Sequence, residues 1–224
     1  MISIKDIFWS YPLTIGFALL LNEIRNKHFK KFVQTVSYLP HFISMVVVCG
    51  LVMDFCKPGG LLSIIVSFFT GTESSLLSEA SRFQGIFVGT GIWQGIGYGT
   101  IIYLSAISGI SPELYEAARV DGAGRLKQTW HITLPGIMPT VVIMLILRVG
   151  SIMSVSYQKI ILLYSPAVYE TADVISSYVY RVGIAEGAEY SFSSAVGLFQ
   201  SVVNLALIIA ANKISAKVTE TSLW

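Results

Sequence analysis

Residues 113–135 read ELYEAARVDGAGRLKQTWHITLP, a charged stretch between two long apolar runs. Ser111 just before it is a preferred N-cap residue, and the proline that follows suits the first helical position. The pattern predicts a first helix to about Val120, a turn at Asp121-Gly122, and a second short helix that ends at Leu134-Pro135. The small alanines of the first helix would let a partner approach closely. A solvated loop with an incidental helix is the alternative.

The composition is typical of a protein that lies in a lipid bilayer. Of 224 residues, 54% are apolar and only 12% are charged, whereas soluble domains carry about 25% charged residues. The mean hydropathy is +0.68. The formal net charge of +2 gives no reason to expect nucleic acid as a partner. Cys49 and Cys56 match neither a zinc pattern nor a disulfide framework, so we expect buried free thiols.

Five apolar runs approach the length of about 20 residues that crosses a bilayer as a helix. They lie at 4–21, 32–55, 83–107, 136–163 and 192–211. A shorter run at 61–70 is typical of an interfacial or re-entrant helix. The sequence therefore predicts an all-α, polytopic membrane protein with about five transmembrane helices.

Lysine and arginine concentrate at 25–31, 119–127 and 213–217. Positive residues mark cytoplasmic connections, so the first and third connections and the C-terminus are predicted to be cytoplasmic, and the N-terminus outside. The first run has no small-residue cleavage site after Leu21 and ends in NEIRNKHFKK, which resembles a cytoplasmic stop. We therefore interpret 4–21 as a span and not as a signal peptide, and expect that an upstream span is missing from this chain.

Polar side chains recur at helical spacing inside four of the five runs. A helix that faces lipid gains nothing from such a stripe, whereas a helix that lines a wet path does. The alternative is that the polar groups join helices to one another. The central parts of the runs hold amides, hydroxyls, aromatic rings and one arginine but no carboxylate, which suits an uncharged, hydroxyl-rich solute. The predicted substrate-pathway residues are Gln94, Tyr98, Arg148, Ser151, Gln200 and Asn204.

The third run also carries Gly91, Gly95 and Gly99 at four-residue intervals. Such a ridge of small residues allows two helices to approach closely within a membrane. Gly97-Tyr98-Gly99 matches the tail of a potassium filter, but it lacks the Thr-Val lead and lies in the middle of a run. We expect a neighbouring helix to lie against the ridge.

The charged stretch resembles the EAA loop of bacterial ABC importer permeases. The matching pattern is Glu116-Ala117-Ala118, three residues, Gly122, nine residues, and Ile132-x-Leu134-Pro135. The resemblance covers essentially the whole chain and is closest to the carbohydrate branch, especially its polysaccharide and oligosaccharide permeases. It is carried by YLPHFIS at 38–44, GTGIWQGIGYGTIIYLSAISGI at 89–110, WHITLPGIMPT at 130–140 and SLW at 222–224. The resemblance implies a single permease domain over 1–224 that lacks the first of the family's six spans, with a cytoplasmic coupling loop at 108–135.

This resemblance also implies partners and a mechanism. The coupling loop would dock into a cleft of a cytoplasmic ATPase, through the residues Glu116, Ala117, Ala118, Asp121, Gly122, Ile132, Leu134 and Pro135. The implied partners are a second permease subunit, an ATPase dimer, an extracytoplasmic solute-binding protein, a carbohydrate and the lipid bilayer, with no nucleic acid. Transport across the bacterial cytoplasmic membrane would follow by alternating access.

The sequence lacks a GxxxxGK[ST] phosphate loop. We therefore expect no enzyme activity, no metal site and no cofactor bound by this chain, with ATP and Mg used by the partner ATPase. A membrane scaffold, an embedded enzyme or a channel-like subunit not coupled to an ATPase is the alternative.

Overall fold

The computed structural model describes residues 2–71, 75–154, 157–187, 189–219 and 222–223, and these ranges contain helices and no strand. The α-helices are α1 (Ile2–Glu23), α2 (Lys27–Tyr38), α3 (Met45–Cys56), α4 (Leu61–Thr70), α5 (Ala80–Ser108), α6 (Pro112–Val120), α7 (Arg125–Gln128), α8 (Leu134–Gly150), α9 (Tyr157–Leu163), α10 (Tyr169–Ala172), α11 (Ile175–Tyr180) and α12 (Tyr190–Thr219). Short 3₁₀ turns occupy Leu39–Phe42, Leu76–Ser78, Ile152–Ser154 and Pro166–Val168, and π-helical turns occupy Thr129–Thr133 and Arg181–Glu186. The predicted all-α class is confirmed.

Among the described residues, four helical segments are long enough and apolar enough to cross a membrane. They are Ile2–Glu23, Met45–Thr70, Arg125–Gly150 and Tyr190–Lys217. Helix α5 is also long enough, since its 29 residues extend over roughly 43 Å. Its glycines and polar side chains lower its mean hydropathy. The chain is thus a multi-pass membrane protein, as predicted.

The predicted span at 32–55 is wrong as a continuous helix. Pro40 cannot donate a backbone hydrogen bond, and the chain passes through the 3₁₀ turn Leu39–Phe42 between α2 and α3. Ser44 then starts α3 as its N-cap, with its hydroxyl accepting a hydrogen bond from Val47 N at 3.4 Å. The break gives the end of α2 and the start of α3 different directions, which opens space beside the middle of α5.

Two further helix boundaries differ from the prediction. The helix after Gly124 does not stop at Leu134-Pro135 but continues through a π-helical turn to Gly150, because the wider turn accommodates the missing N–H of the proline. The predicted span at 136–163 ends early at Gly150, where the Ser151 hydroxyl bonds back to the carbonyls of Leu147 and Arg148 at 3.2 Å each. Positions 155 and 156 of that predicted span lie outside the described residues.

Helices α1 and α5 lie side by side and parallel. A Cβ on Gly91 would stand 3.6 Å from Asp6 Oδ1, and a Cβ on Gly99 would stand 2.9 Å from Thr14 Cγ2. Both pairs are separated by about two turns along their helices, so one register holds throughout. Two glycines of the predicted ridge, Gly91 and Gly99, therefore face α1, whereas a Cβ on Gly95 would meet nothing within 4 Å and Gly95 lines the cavity described below.

The apolar core lies where α3, α5 and α9 meet. Phe83 and Phe87 of α5 pack there with both cysteines, and all four side chains are buried. The cysteines are free thiols, as expected. Helix α12 packs on α8, where Gly150 admits the side chain of Ile208 in place of a Cβ.

Candidate functional site

A cavity of about 390 Å³ opens beside the middle of α5, within the range of about 300–1,000 Å³ that ligand pockets occupy. Helices α1, α5, α8 and α9 and the break before α3 contribute to its wall. The polar side chains of its lining are Asp6, Ser10, Thr14, His41, Gln94, Arg148 and Lys159. The break at Pro40 and the glycine ridge together make room for this cavity.

The lining contains a carboxylate and two cations, which corrects the expectation of a wall with one arginine and no carboxylate. Asp6 Oδ2 lies 3.8 Å from Arg148 Nη1, and the Arg148 side chain is 49% exposed. Lys159 is 2% exposed, donates to Phe87 O at 2.5 Å and lies 4.3 Å above the Phe87 ring centroid. The chain turns back after Gly150, and α9 thereby carries Lys159 inward. Sequence reasoning missed Asp6 and Lys159, although Asp6, Ser10 and Thr14 form a stripe at helical spacing in α1.

Two of the predicted pathway residues have visible structural roles at the cavity. Gln94 donates its amide hydrogen to Ile43 O at 3.3 Å, which satisfies a carbonyl at the break before α3. Tyr98 stacks on His41 with ring centroids 3.8 Å apart and planes 2° from parallel. His41 lines the cavity, whereas Tyr98 does not and is 45% exposed, so Tyr98 supports the His41 ring from outside the lining.

The remaining predicted pathway residues do not line this cavity. Gln200 donates to Met153 O at 2.5 Å and to Ser176 Oγ at 3.1 Å, so it joins α12 to α11 and to the chain after α8. Ser151 closes the end of α8, as described above. Asn204 is half-buried on α12. The structure thus places Gln94 and Arg148 in the lining of one cavity and Tyr98 behind its lining residue His41, and it places Ser151, Gln200 and Asn204 elsewhere.

The charged stretch forms the predicted helix α6. Ser111 Oγ accepts from Glu113 N at 3.3 Å, and the helix ends at Val120. Gly122 has φ of +75°. Ala123 N donates to Ala118 O at 2.8 Å, and Gly122 N donates to Arg119 O at 3.1 Å. These two bonds are the Schellman arrangement, which requires the left-handed conformation that glycine adopts most readily.

The surface of this segment is both polar and apolar. Among the predicted coupling residues, Glu116, Ala117, Asp121, Gly122 and Pro135 are exposed, and Ala118, Ile132 and Leu134 are half-buried. Beside them, Val120 is 88% exposed, Leu126 79% and Trp130 66%. We call Val120, Leu126 and Trp130 the apolar patch. Sequence reasoning missed it as a surface, because exposure of single apolar residues cannot be deduced from their spacing in so short a segment.

Helix α6 and the turn after it are hydrogen-bonded to the helical segment Arg125–Gly150. Tyr115 Oη and Thr133 Oγ1 are hydrogen-bonded at 2.9 Å, and Gln128 donates to Ala123 O at 2.7 Å. A second cavity of about 510 Å³ lies between α6 and α7, and its lining includes Arg25, Arg119 and Arg125. These contacts join α6 to the start of the segment Arg125–Gly150.

Helix α1 runs antiparallel to the segment Arg125–Gly150 and contacts it at three levels. Glu23 pairs with Arg125 at 3.5 Å, the Tyr11 hydroxyl donates to Val141 O, and Asp6 pairs with Arg148. The first connection and the charged stretch consequently lie at the same end of the molecule, as the positive-residue pattern requires. The charged cavity lies toward the other end of the same segment.

Comparison with known proteins gives a consistent result. The family model of the binding-protein-dependent transport system inner membrane component matches residues 10–220. The polygalacturonan/rhamnogalacturonan transport system permease protein YteP of Bacillus subtilis is 41% identical over 96% of this chain and 67% of its own length. Protein LplB of Bacillus subtilis is 40% identical over 100% of this chain and 70% of its own length.

Solved structures agree with the sequence relatives. A bacterial ABC transporter involved in the import of the acidic polysaccharide alginate matches with a TM-score of 0.92 and 42% identity, over 97% of this chain and 76% of that one. A bacterial alginate ABC transporter in complex with an alginate pentasaccharide-bound periplasmic protein matches with a TM-score of 0.94 and 42% identity, over 99% of this chain and 77% of that one. The chain belongs to the family of inner-membrane components of binding-protein-dependent transport systems.

Proposed function

We propose that this chain is a permease subunit of an ATP-binding cassette importer for an oligosaccharide or polysaccharide. The observation that carries the proposal has two parts. The exposed helix α6 is hydrogen-bonded to the start of the segment Arg125–Gly150, and a cavity of ligand size lies toward the far end of the same segment. Relatives over nearly the whole chain have names or descriptions that refer to polysaccharide transport. The stacked aromatic pair and the hydroxyl groups of the cavity suit a sugar, because a sugar ring presents both a C–H face and hydroxyls.

In this proposal, α6 docks into a cleft of an ATPase at the cytoplasmic face. The apolar patch becomes buried against the ATPase, and the carboxylate of Glu116 pairs with a cationic group of the ATPase. Closure of two ATPases moves α6, and the segment Arg125–Gly150 transmits the motion to the cavity, which opens alternately to either side. ATP and Mg bind the ATPases, and this chain needs no cofactor or metal of its own.

The same proposal assigns the remaining surfaces. A second permease subunit pairs with this one in the bacterial cytoplasmic membrane, with the C-terminus and residues 108–134 in the cytoplasm. A solute-binding protein delivers the sugar at the outer connections 57–82 and 165–190. The proposal includes no nucleic acid as a partner.

The test is purification of the complex through an affinity tag on this chain, followed by reconstitution in liposomes. We expect an ATPase to co-purify and saccharide uptake to require ATP. The Glu116→Ala variant should insert normally, because the carboxylate is exposed and no ion pair joins it to another described residue, but it should retain less ATPase. Removing one member of a buried charge pair costs about 3–5 kcal/mol, so the loss should be large. Uptake without ATP would instead favour a channel-like subunit.

A further inference from the structure

We infer that Arg148 is the residue that selects for saccharides carrying a carboxylate. The inference rests on the proposed function and specifies the substrate class of the same cavity. It follows from three observations: an excess positive charge in the cavity, a guanidinium with unused donors, and neighbouring groups suited to a sugar.

The described lining of the cavity contains two cations and one carboxylate. A Cβ placed on Gly91 would stand 3.3 Å from Lys159 Nζ and 3.6 Å from Asp6 Oδ1, so the amine and the carboxylate flank the same glycine. Asp6 is also the ion-pair partner of Arg148. The lining therefore holds two cations and one carboxylate, which is an excess of one positive charge. In a half-enclosed site within a membrane protein, such a charge favours an anionic ligand over a neutral one.

Arg148, and not Lys159, is the group free to meet that ligand. The Lys159 amine is enclosed and already occupied by the Phe87 carbonyl and ring. Arg148 is half exposed, and its approach to Asp6 at 3.8 Å is longer than a hydrogen bond. Among the described residues no hydrogen bond to the Arg148 side chain is found. A guanidinium carries five donors in a planar fork that fits a carboxylate with two parallel bonds.

The surroundings of Arg148 suit the rest of a sugar acid. Ser10 lines the cavity and is 7% exposed, and its hydroxyl has no hydrogen-bond partner among the described residues. An unsatisfied buried hydroxyl costs free energy until a partner such as a sugar hydroxyl reaches it. The His41 ring lines the cavity and is held in place by stacking on Tyr98, so it supplies an aromatic group for the C–H side of a pyranose. The cavity thus provides a cation, a free hydroxyl and an aromatic surface.

The experiment uses the reconstituted complex and two probes of equal length, a galacturonic acid trimer and its fully methyl-esterified form, which is neutral. Arg148→Gln removes the charge, and Arg148→Lys keeps it. Lys31→Gln is the matched control, because Lys31 is exposed on α2 and lies outside the cavity. A hydrogen bond to a charged group contributes about 1.5–3 kcal/mol, so Arg148→Gln should lower uptake of the acid relative to the ester by about tenfold or more.

We expect Arg148→Lys to keep a preference for the acid that is weaker than that of the wild type, because the charge remains but the planar fork is lost, and Lys31→Gln to leave the preference unchanged. Equal loss of acid and ester in Arg148→Gln, unchanged uptake of both, or an equal deficit in the Gln and Lys variants overturns the inference. A wild-type complex that imports both probes equally overturns it as well, while the proposed function stands. A wild-type complex that hydrolyses no ATP and imports no saccharide contradicts the proposed function itself.

Discussion

At the scale of a single residue, the conformation of Gly122 determines how α6 ends. Its φ of +75° lies in the left-handed region, and a Cβ at this position would meet nothing within 4 Å. A side chain here is therefore opposed by backbone strain and not by crowding within this chain. Asparagine enters the left-handed region far more readily than a β-branched residue.

We expect Gly122→Val to lose about 1–2 kcal/mol through this strain, to distort the end of α6 and to weaken ATPase retention. Gly122→Asn should preserve the turn and serve as the matched control. The measurement is ATPase co-purification and ATP-dependent uptake for both variants. Impairment of both variants would place the side chain itself in the docking contact. Wild-type behaviour of both would mean that this turn does not couple the ATPase to transport.

At the scale of elements, the parallel register of α1 and α5 forms one wall of the cavity. A Cβ on Gly99 would lie 4.0 Å from Thr14 Cβ, and disulfides join Cβ atoms about 3.5–4.5 Å apart. The pair therefore reports directly on the register.

We expect a Thr14→Cys, Gly99→Cys double variant to form a disulfide on mild oxidation, in a background where Cys49 and Cys56 are replaced by alanine. The control is Thr14→Cys with Gly91→Cys, because position 91 lies about 12 Å from position 99 along α5 and this pair should not cross-link. The measurement is the mobility shift on a non-reducing gel. A cross-link in the control at the same rate would contradict the register.

The same elements explain what could be predicted from the sequence. Helix α6, the turn at Gly122 and the glycine ridge were predictable, because caps, glycines and helical spacing act locally. The early end of α8 was not, since it depends on Gly150 packing against Ile208 from a distant helix. The charged cavity was missed for the same reason. Asp6 and Lys159 are far apart in sequence, and only the tertiary fold places both side chains beside Gly91.

At the scale of the whole molecule, the arrangement of charges at the helix ends predicts one orientation in the membrane. Glu23 and Arg125 meet at one end, where lysine and arginine concentrate, and the outer connections carry few positive residues. We expect reporter fusions after Trp224 and within 165–190 to give opposite signals for cytoplasmic and external location. Identical signals from both fusions would contradict the multi-pass topology.

The continuous segment Arg125–Gly150 has a thermodynamic consequence. It begins beside α6, the helix proposed to dock the ATPase, and carries Arg148 roughly 35 Å away, at about 1.5 Å per residue. Coupling between two binding sites is reciprocal, so each ligand changes the affinity of the other by the same factor. If the ATPase alters how tightly Arg148 holds a carboxylate, then a carboxylate at Arg148 alters how tightly the ATPase holds α6. The cytoplasmic partner would then sense a saccharide that it never touches.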